Sequence, residues 1–318
     1  MLRPALMSTS RQHWQFAFRC LVTTAVIAGM VMLARSIDAA QLVTALAHAA
    51  PLSLLAGSLL SFAILASKGL AWQQLLAPAY APPRRAVLRI TLLAYAASLL
   101  VPLRGGEVLR VLLLQRDHQV PARHAAIVAT AEKLLDVLAI LLLVTPLLWL
   151  GPTLPASTRS MFAIAGATAL LVLTGLAWWL QRRTPTYSGV RLLAPASMLK
   201  AFATLTFGWL CDCAAIACVM HATGVEISPA TVLLALLGIN FAVALPSTPG
   251  QVGALQLGAV AALGLAGVPA APALGFAVLY QAVQLLPLLV VGFALDHRIM
   301  LGNWPLPTMP YSRDQLQL

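Results

Sequence analysis

The sequence predicts an all-α polytopic membrane protein of two inverted repeats, each with three spanning helices and one broken, re-entrant helical hairpin. Three observations carry this expectation. The chain is 60% hydrophobic and only 9% charged, against about 25% charged in soluble domains. Its basic residues gather between apolar runs, as cytoplasmic loops do. Two apolar regions are each interrupted by a loop rich in proline and glycine, the mark of paired discontinuous helices.

A spanning helix needs about 20 apolar residues. In chain order, 16–33, 52–70, 124–150, 161–180, 201–221 and 273–295 qualify. The first run follows Arg11 and Arg19 like a signal peptide, with a cleavage-like stretch at Asp38-Ala39-Ala40. Arg35, directly after the run, favours an uncleaved helix. Two further regions are split, 86–114 around Pro102-Leu-Arg-Gly-Gly and 231–266 around Pro246-Ser-Thr-Pro-Gly. Each half is short for a span.

Charge placement decides how the first split region runs. If it crossed fully, Arg84, Arg85 and Arg89 would lie opposite Arg116 and Arg123, against the positive-inside rule. A hairpin that enters from the cytoplasm and returns keeps both clusters inside. The second split region carries almost no charge and fits a hairpin from the opposite face. Re-entrant backbone is tolerated where protein or water satisfies it.

The expected organisation follows. Residues 1–181 hold the first repeat (about 15–150) and the start of the second, and 161–298 form the second repeat. A basic cytoplasmic linker lies at 182–200 and a flexible tail at 303–318, with both termini cytoplasmic. The repeats align by residue. Pro102 falls on Pro246, Gly106 on Gly250, Glu107 on Gln251 and Val108 on Val252. Further on, Val120-Pro121-Ala122 matches Val268-Pro269-Ala270. Glu132, Lys133 and Asp136 then fall on Tyr280, Gln281 and Gln284.

The net charge is +11. It sits in membrane-flanking clusters, not in the solvated basic domain that nucleic-acid binding requires, and it also attracts anionic lipid. Lys68 is grouped with these flanking residues. The four cysteines, Cys20, Cys211, Cys213 and Cys218, lack zinc-type spacing and are expected as free thiols. No triad, P-loop, dinucleotide loop or HExxH motif occurs. No catalytic residue, cofactor or metal ligand is therefore assigned.

Intramembrane charge is costly and marks function by default. Arg104 and Arg110 are the best anion binders, because a guanidinium fork matches phosphate. Gly105 and Gly106 would let backbone approach a headgroup, and a helix starting near Glu107 would add free N–H groups. In the second loop, Thr248 and Gln251 make a Thr-x-x-Gln capping box around Pro249 and Gly250. Glu132, Lys133 and Asp136 lie inside an apolar run. Lys133 and Asp136 can pair, while Glu132 and Asp136 share a face and need a cation, which Arg104 or Arg110 can supply. These groups line either a substrate path or a structural salt bridge. Gln281 and Gln284 complete the set. Asp212, alone in its span, is placed near solvent at the cytoplasmic side, and His124 and His221 at the interfaces.

Pro102-Leu-Arg-Gly-Gly-Glu107-x-x-Arg110, Glu132-Lys-x-x-Asp136 and Leu245-Pro-x-x-Pro-Gly-x-x-Gly253 together resemble the transmembrane region of lysylphosphatidylglycerol synthases, a flippase-like family. The resemblance covers about residues 15–298. It implies movement of charged or polyprenyl-type lipids between leaflets of a bacterial-type inner membrane. The soluble aminoacyl-transferase domain of the full-length synthases has no counterpart here, so lysyl transfer is not implied. The family usually has arginine where Lys133 stands and often one near Gln281 and Gln284. The expected function is a lipid translocase holding an anionic or polyprenyl-linked headgroup between its hairpins. The alternatives are an intramembrane enzyme acting on a lipid phosphate, with Glu107 or Asp136 as base, or a non-catalytic partner of a lipid or envelope synthesis complex.

Overall fold

Prolines and glycines punctuate the apolar sequence, and the helix ends follow them. The computed structural model describes residues 50–100, 105–145, 156–183, 186–187, 190–244, 251–301 and 303–304. Nine helices follow one another in these residues: α1 (Pro51–Leu76), α2 (Arg84–Leu100), α3 (Gly105–His118), α4 (Ala122–Val144), α5 (Ala156–Arg183), α6 (Pro195–Thr223), α7 (Pro229–Ala244), α8 (Ala254–Leu265) and α9 (Ala270–Met300). Between α5 and α6, Thr186–Tyr187 and Val190–Arg191 pair as a two-residue antiparallel ribbon. Proline opens α1 and α6, where its missing N–H costs nothing. Gly224, at φ 70°, ends α6 in the left-handed conformation.

The helices α1, α6 and α9 are long and apolar enough to cross a membrane. Large apolar side chains lie exposed along them, among them Leu52, Leu55, Leu59, Phe207, Leu210, Leu286 and Val290. In water such a surface would aggregate, whereas lipid tails solvate it. This is a membrane protein.

The two helices at the centre, α1 and α6, run antiparallel. Ser53 meets His221 at one end, 3.0 Å apart, and Gln74 donates to Thr204 at the other, at 3.0 Å. Each split region forms a packed pair, α2 on α3 and α7 on α8. The halves then interlock. Helix α4 packs on α6 and α7, while α9 packs on α1 and α2.

Glycine sets how closely the helices of each pair approach. A Cβ on Gly106 would lie 1.8 Å from the Ala94 carbonyl oxygen and 2.0 Å from Ser98 Oγ. Gly238 and Gly258 exclude side chains from each other's backbone in the same way. Small residues permit such contacts between membrane helices. Gly106→Ala is therefore expected to lower the melting temperature of the purified protein. The loss should be at least the ~1–3 kcal/mol typical of overpacking. Gly175→Ala is the control, since nothing lies within 4 Å of that position.

Several expectations need correction. The linker is shorter than 182–200, because α5 runs to Arg183 and α6 already begins at Pro195. Of the tail, Asn303 and Trp304 are described. Asn303 N–H donates to the Arg298 carbonyl at 3.0 Å and Trp304 packs on the core, so the chain is held at this point. Residues 16–33 and the remainder of 303–318 lie outside the described residues. Cys211, Cys213 and Cys218 are free thiols.

Candidate functional site

The polar residues of α1, α4 and α6 meet inside the helix pack. On α4 the 3.6-residue period puts Glu132 and Asp136 on one buried face. Lys68 of α1 donates to Asp136 Oδ2 at 2.6 Å, with both side chains about nine-tenths buried. Trp209 of α6 donates its indole N–H to Asp136 Oδ1 at 2.8 Å. Lys68 Nζ also stands 4.8 Å from the centre of the Trp209 ring. Both carboxylate oxygens of Asp136 are thus satisfied and its charge is compensated. A buried pair persists only with such extra hydrogen bonds.

The expected pairing of Lys133 with Asp136 is incorrect. Lys133 faces outward from Asp136 and contacts Glu107 at 3.2 Å and Glu132 at 3.9 Å. Lys68 supplies the cation at Asp136 instead. Its grouping with the interfacial basic residues fails because α1 continues six residues past the predicted end at 70, to Leu76. That extension puts Lys68 well inside the helix.

Arg110 of α3 is only 4% exposed. Its guanidinium lies between two aromatic rings, 4.7 Å from Trp72 of α1 and 5.0 Å from Tyr95 of α2. The nearest acid is Glu132, at 4.0 Å, beyond hydrogen-bond length. Glu132 Oε2 accepts instead from the Trp72 indole at 3.1 Å. Arg110 Nε and Glu132 Oε1 are buried and have no hydrogen-bond partner among the described residues. The Nε–H of this arginine is thus left for another acceptor. A buried unsatisfied donor costs about 1–3 kcal/mol, more when charged.

The glycines serve packing more than ligand approach. Gly105 and Gly106 are buried, and α2 fills the space beside Gly106. Glu107 is exposed at the start of α3. Arg104, Thr248 and Gly250 lie outside the described residues. Gln251 is exposed at φ 61°, so it is not the third residue of a helix. Helix α8 begins at Ala254, and Gln256 takes that role by accepting the Gly253 N–H at 2.7 Å. Gln256 also donates to Gln281 of α9.

Asp212 is also placed differently from expectation. It is 3% exposed, not near solvent. Its Oδ1 accepts from the Tyr280 hydroxyl at 2.7 Å and from Gln284 at 3.4 Å, both on α9. His124, expected at an interface, is buried and bonded to Tyr80. The structure thus joins Arg110, Glu132 and Asp136 to Lys68, Trp72, Tyr95 and Trp209, residues that sequence reasoning did not select. A signal for three of them exists. Lys68 and Trp72 are four apart, and Trp209 and Asp212 three apart, so each pair shares a helix face.

The comparison with known families agrees with these motifs. A family model described as the lysylphosphatidylglycerol synthase TM region matches residues 18–292, and the chain belongs to that family. No curated relative matches it.

Proposed function

From membership of the lysylphosphatidylglycerol synthase transmembrane family, we propose that this protein is a lipid translocase. Its substrate is an anionic or polyprenyl-linked lipid whose headgroup is held between two re-entrant hairpins, α2–α3 and α7–α8. The observation that carries this reading is Arg110, a buried guanidinium beside Trp72 and Tyr95 whose Nε–H has no hydrogen-bond partner among the described residues. A lipid phosphate supplies the missing acceptor. Gly105, Gly106 and Glu107, at the start of α3, and Arg104, which precedes them in sequence, are assigned to the same site. Lys133 and the Lys68–Asp136 pair form the adjoining polar wall beside Glu132. Thr248, Gly250, Gln251, Gln281 and Gln284 belong to the second hairpin side.

The inverted repeat is part of this proposal. The packing supports it, since the contacts of α4 with α6 and α7 have counterparts in those of α9 with α1 and α2. The re-entrant course has support too. A shallow cavity is lined by Arg89 from the start of α2, Arg116 and His118 from the end of α3, and Asp296 near the end of α9. Both ends of the first hairpin therefore share one face. Single cysteines near Arg85 and Arg116 are expected to label only from the cytoplasm of a bacterial-type inner membrane. Those near Val225 and Pro269 should label only from outside. Labelling at 85 and 116 from opposite sides contradicts the hairpin.

The enzyme alternative needs Glu107 or Asp136 as a free base. Asp136 is held on both oxygens, and Glu107 contacts Lys133. Purified protein in liposomes separates the readings. A translocase moves labelled anionic lipid between leaflets without changing it. Chemical turnover of the lipid favours the enzyme, and neither result leaves a partner role in lipid or envelope synthesis.

A further inference from the structure

The charges buried in this helix pack do not balance. Among the described residues, the buried cationic side chains are Lys68 and Arg110, and the buried acids are Glu132, Asp136 and Asp212. Lys133, half exposed, is matched by the half-exposed Glu107. Glu132 has Arg110 and Lys133 within 4.0 Å, and Asp136 has Lys68 at 2.6 Å. Asp212 has no ion-pair partner among the described residues. Its two hydrogen bonds come from neutral groups, the Tyr280 hydroxyl and the Gln284 amide, and both reach the same oxygen. An acid buried in this way sheds its charge by holding a proton. A neutral carboxyl keeps Oδ1 as acceptor and places the proton on Oδ2.

The repeat register gives this site a counterpart. The register that sets Pro102 on Pro246 sets Lys68 on Asp212, and the register that sets Val120 on Val268, shifted by four residues, sets Asp136 on Gln284. The first half thus carries a lysine–aspartate pair where the second carries an aspartate–glutamine contact. The two sites meet on α6, whose Trp209 holds Asp136 about one turn from Asp212. The groups acting on Asp212 are Lys68 of α1, Asp136 of α4 and Tyr280 and Gln284 of α9. Cys211 and Cys213 flank it on α6, and α7 carries no titratable side chain.

We propose that Asp212 is a proton-carrying site, and that its proton is exchanged in step with lipid movement. When the Asp212 O–H bond breaks, the proton passes to water and leaves a carboxylate. Lys68, already acted on by Asp136 and Glu132, is then drawn by a third acid, Asp212, which loosens its hold on Asp136 beside the headgroup site. Proton uptake from water restores the pair. The coupling rests on the translocase reading, whereas the proton site does not.

Infrared spectroscopy of the purified protein, titrated from pH 8 to pH 6, tests the site directly. The carbonyl band of a protonated carboxyl is expected in wild type and lost in Asp212→Asn. The amide copies the neutral acid, so this variant should melt like wild type. No such band in wild type, or a band retained in Asp212→Asn, overturns the proposal. Liposomes with an imposed pH gradient test the coupling. Wild type should move anionic lipid several-fold faster under one gradient direction than without it, and Asp212→Asn should ignore the gradient. Gradient-insensitive movement by wild type sinks the coupling alone. If wild type moves no lipid under any gradient, the translocase reading and the coupling both fall, while the infrared result still decides the proton site.

Discussion

Lys68→Met is expected to destabilise the protein by about 3–5 kcal/mol, the usual cost of leaving one member of a buried ion pair without its partner. The pair is closed on every side. Lys68 Nζ lies 2.6 Å from Asp136 Oδ2, and the Trp209 indole occupies Oδ1. Removing the ammonium leaves a carboxylate in an apolar helix pack with a single neutral donor. Asp136→Asn should cost a similar amount, because the lysine is then buried beside an amide. The double variant Lys68→Met/Asp136→Leu removes both charges and should recover much of the loss, since apolar replacement of a whole buried pair is often neutral. Thermal melting of the four proteins in one detergent completes the cycle. If the losses of the single variants simply add in the double variant, the two side chains do not interact. The exposed Arg116–Asp117 contact is the comparison, worth only about 0–1 kcal/mol.

Arg110→Lys is expected to reduce lipid binding and transport by an order of magnitude or more while the protein still folds. A lysine keeps the charge but loses the planar fork, which makes paired hydrogen bonds to phosphate and stacks on aromatic rings. Here the stacking is engaged, with Trp72 and Tyr95 nearby, and the hydrogen bonds are proposed to go to the phosphate. Arg110→Gln should weaken binding further. Arg104→Lys is expected to act in the same direction if the first loop grips the headgroup. Arg116→Lys, on the exposed end of α3, should be near neutral. Binding of fluorescent anionic lipid and leaflet movement in liposomes are the two readouts. Transport at the wild-type rate in all three lysine variants would mean that the headgroup is held elsewhere.

The sequence alone determined the membrane class, the described spanning helices to within six residues at either end, and the split of two apolar regions into helix pairs. Hydropathy and the cost of intramembrane charge are local properties, so they can be read along the chain. The polar stretches at 104–110 and 132–136 were legible for the same reason, as were Gln281 and Gln284. Partner choice was not legible. Within α4, spacing offered Asp136 only Lys133, whereas the tertiary structure supplied Lys68 from another helix, 68 positions away. The antiparallel seam of α1 and α6 made that contact possible. Packing of α9 on α6 put Tyr280 and Gln284 on Asp212, a buried acid that in sequence looked close to solvent. The capping box at Thr248 to Gln251 was displaced because Gln251 adopts a positive φ and the helix starts only at Ala254. Which side chains carry charge was written in the chain. Which of those charges are paired and which lack a hydrogen-bond partner was decided by the packing of helices distant in sequence.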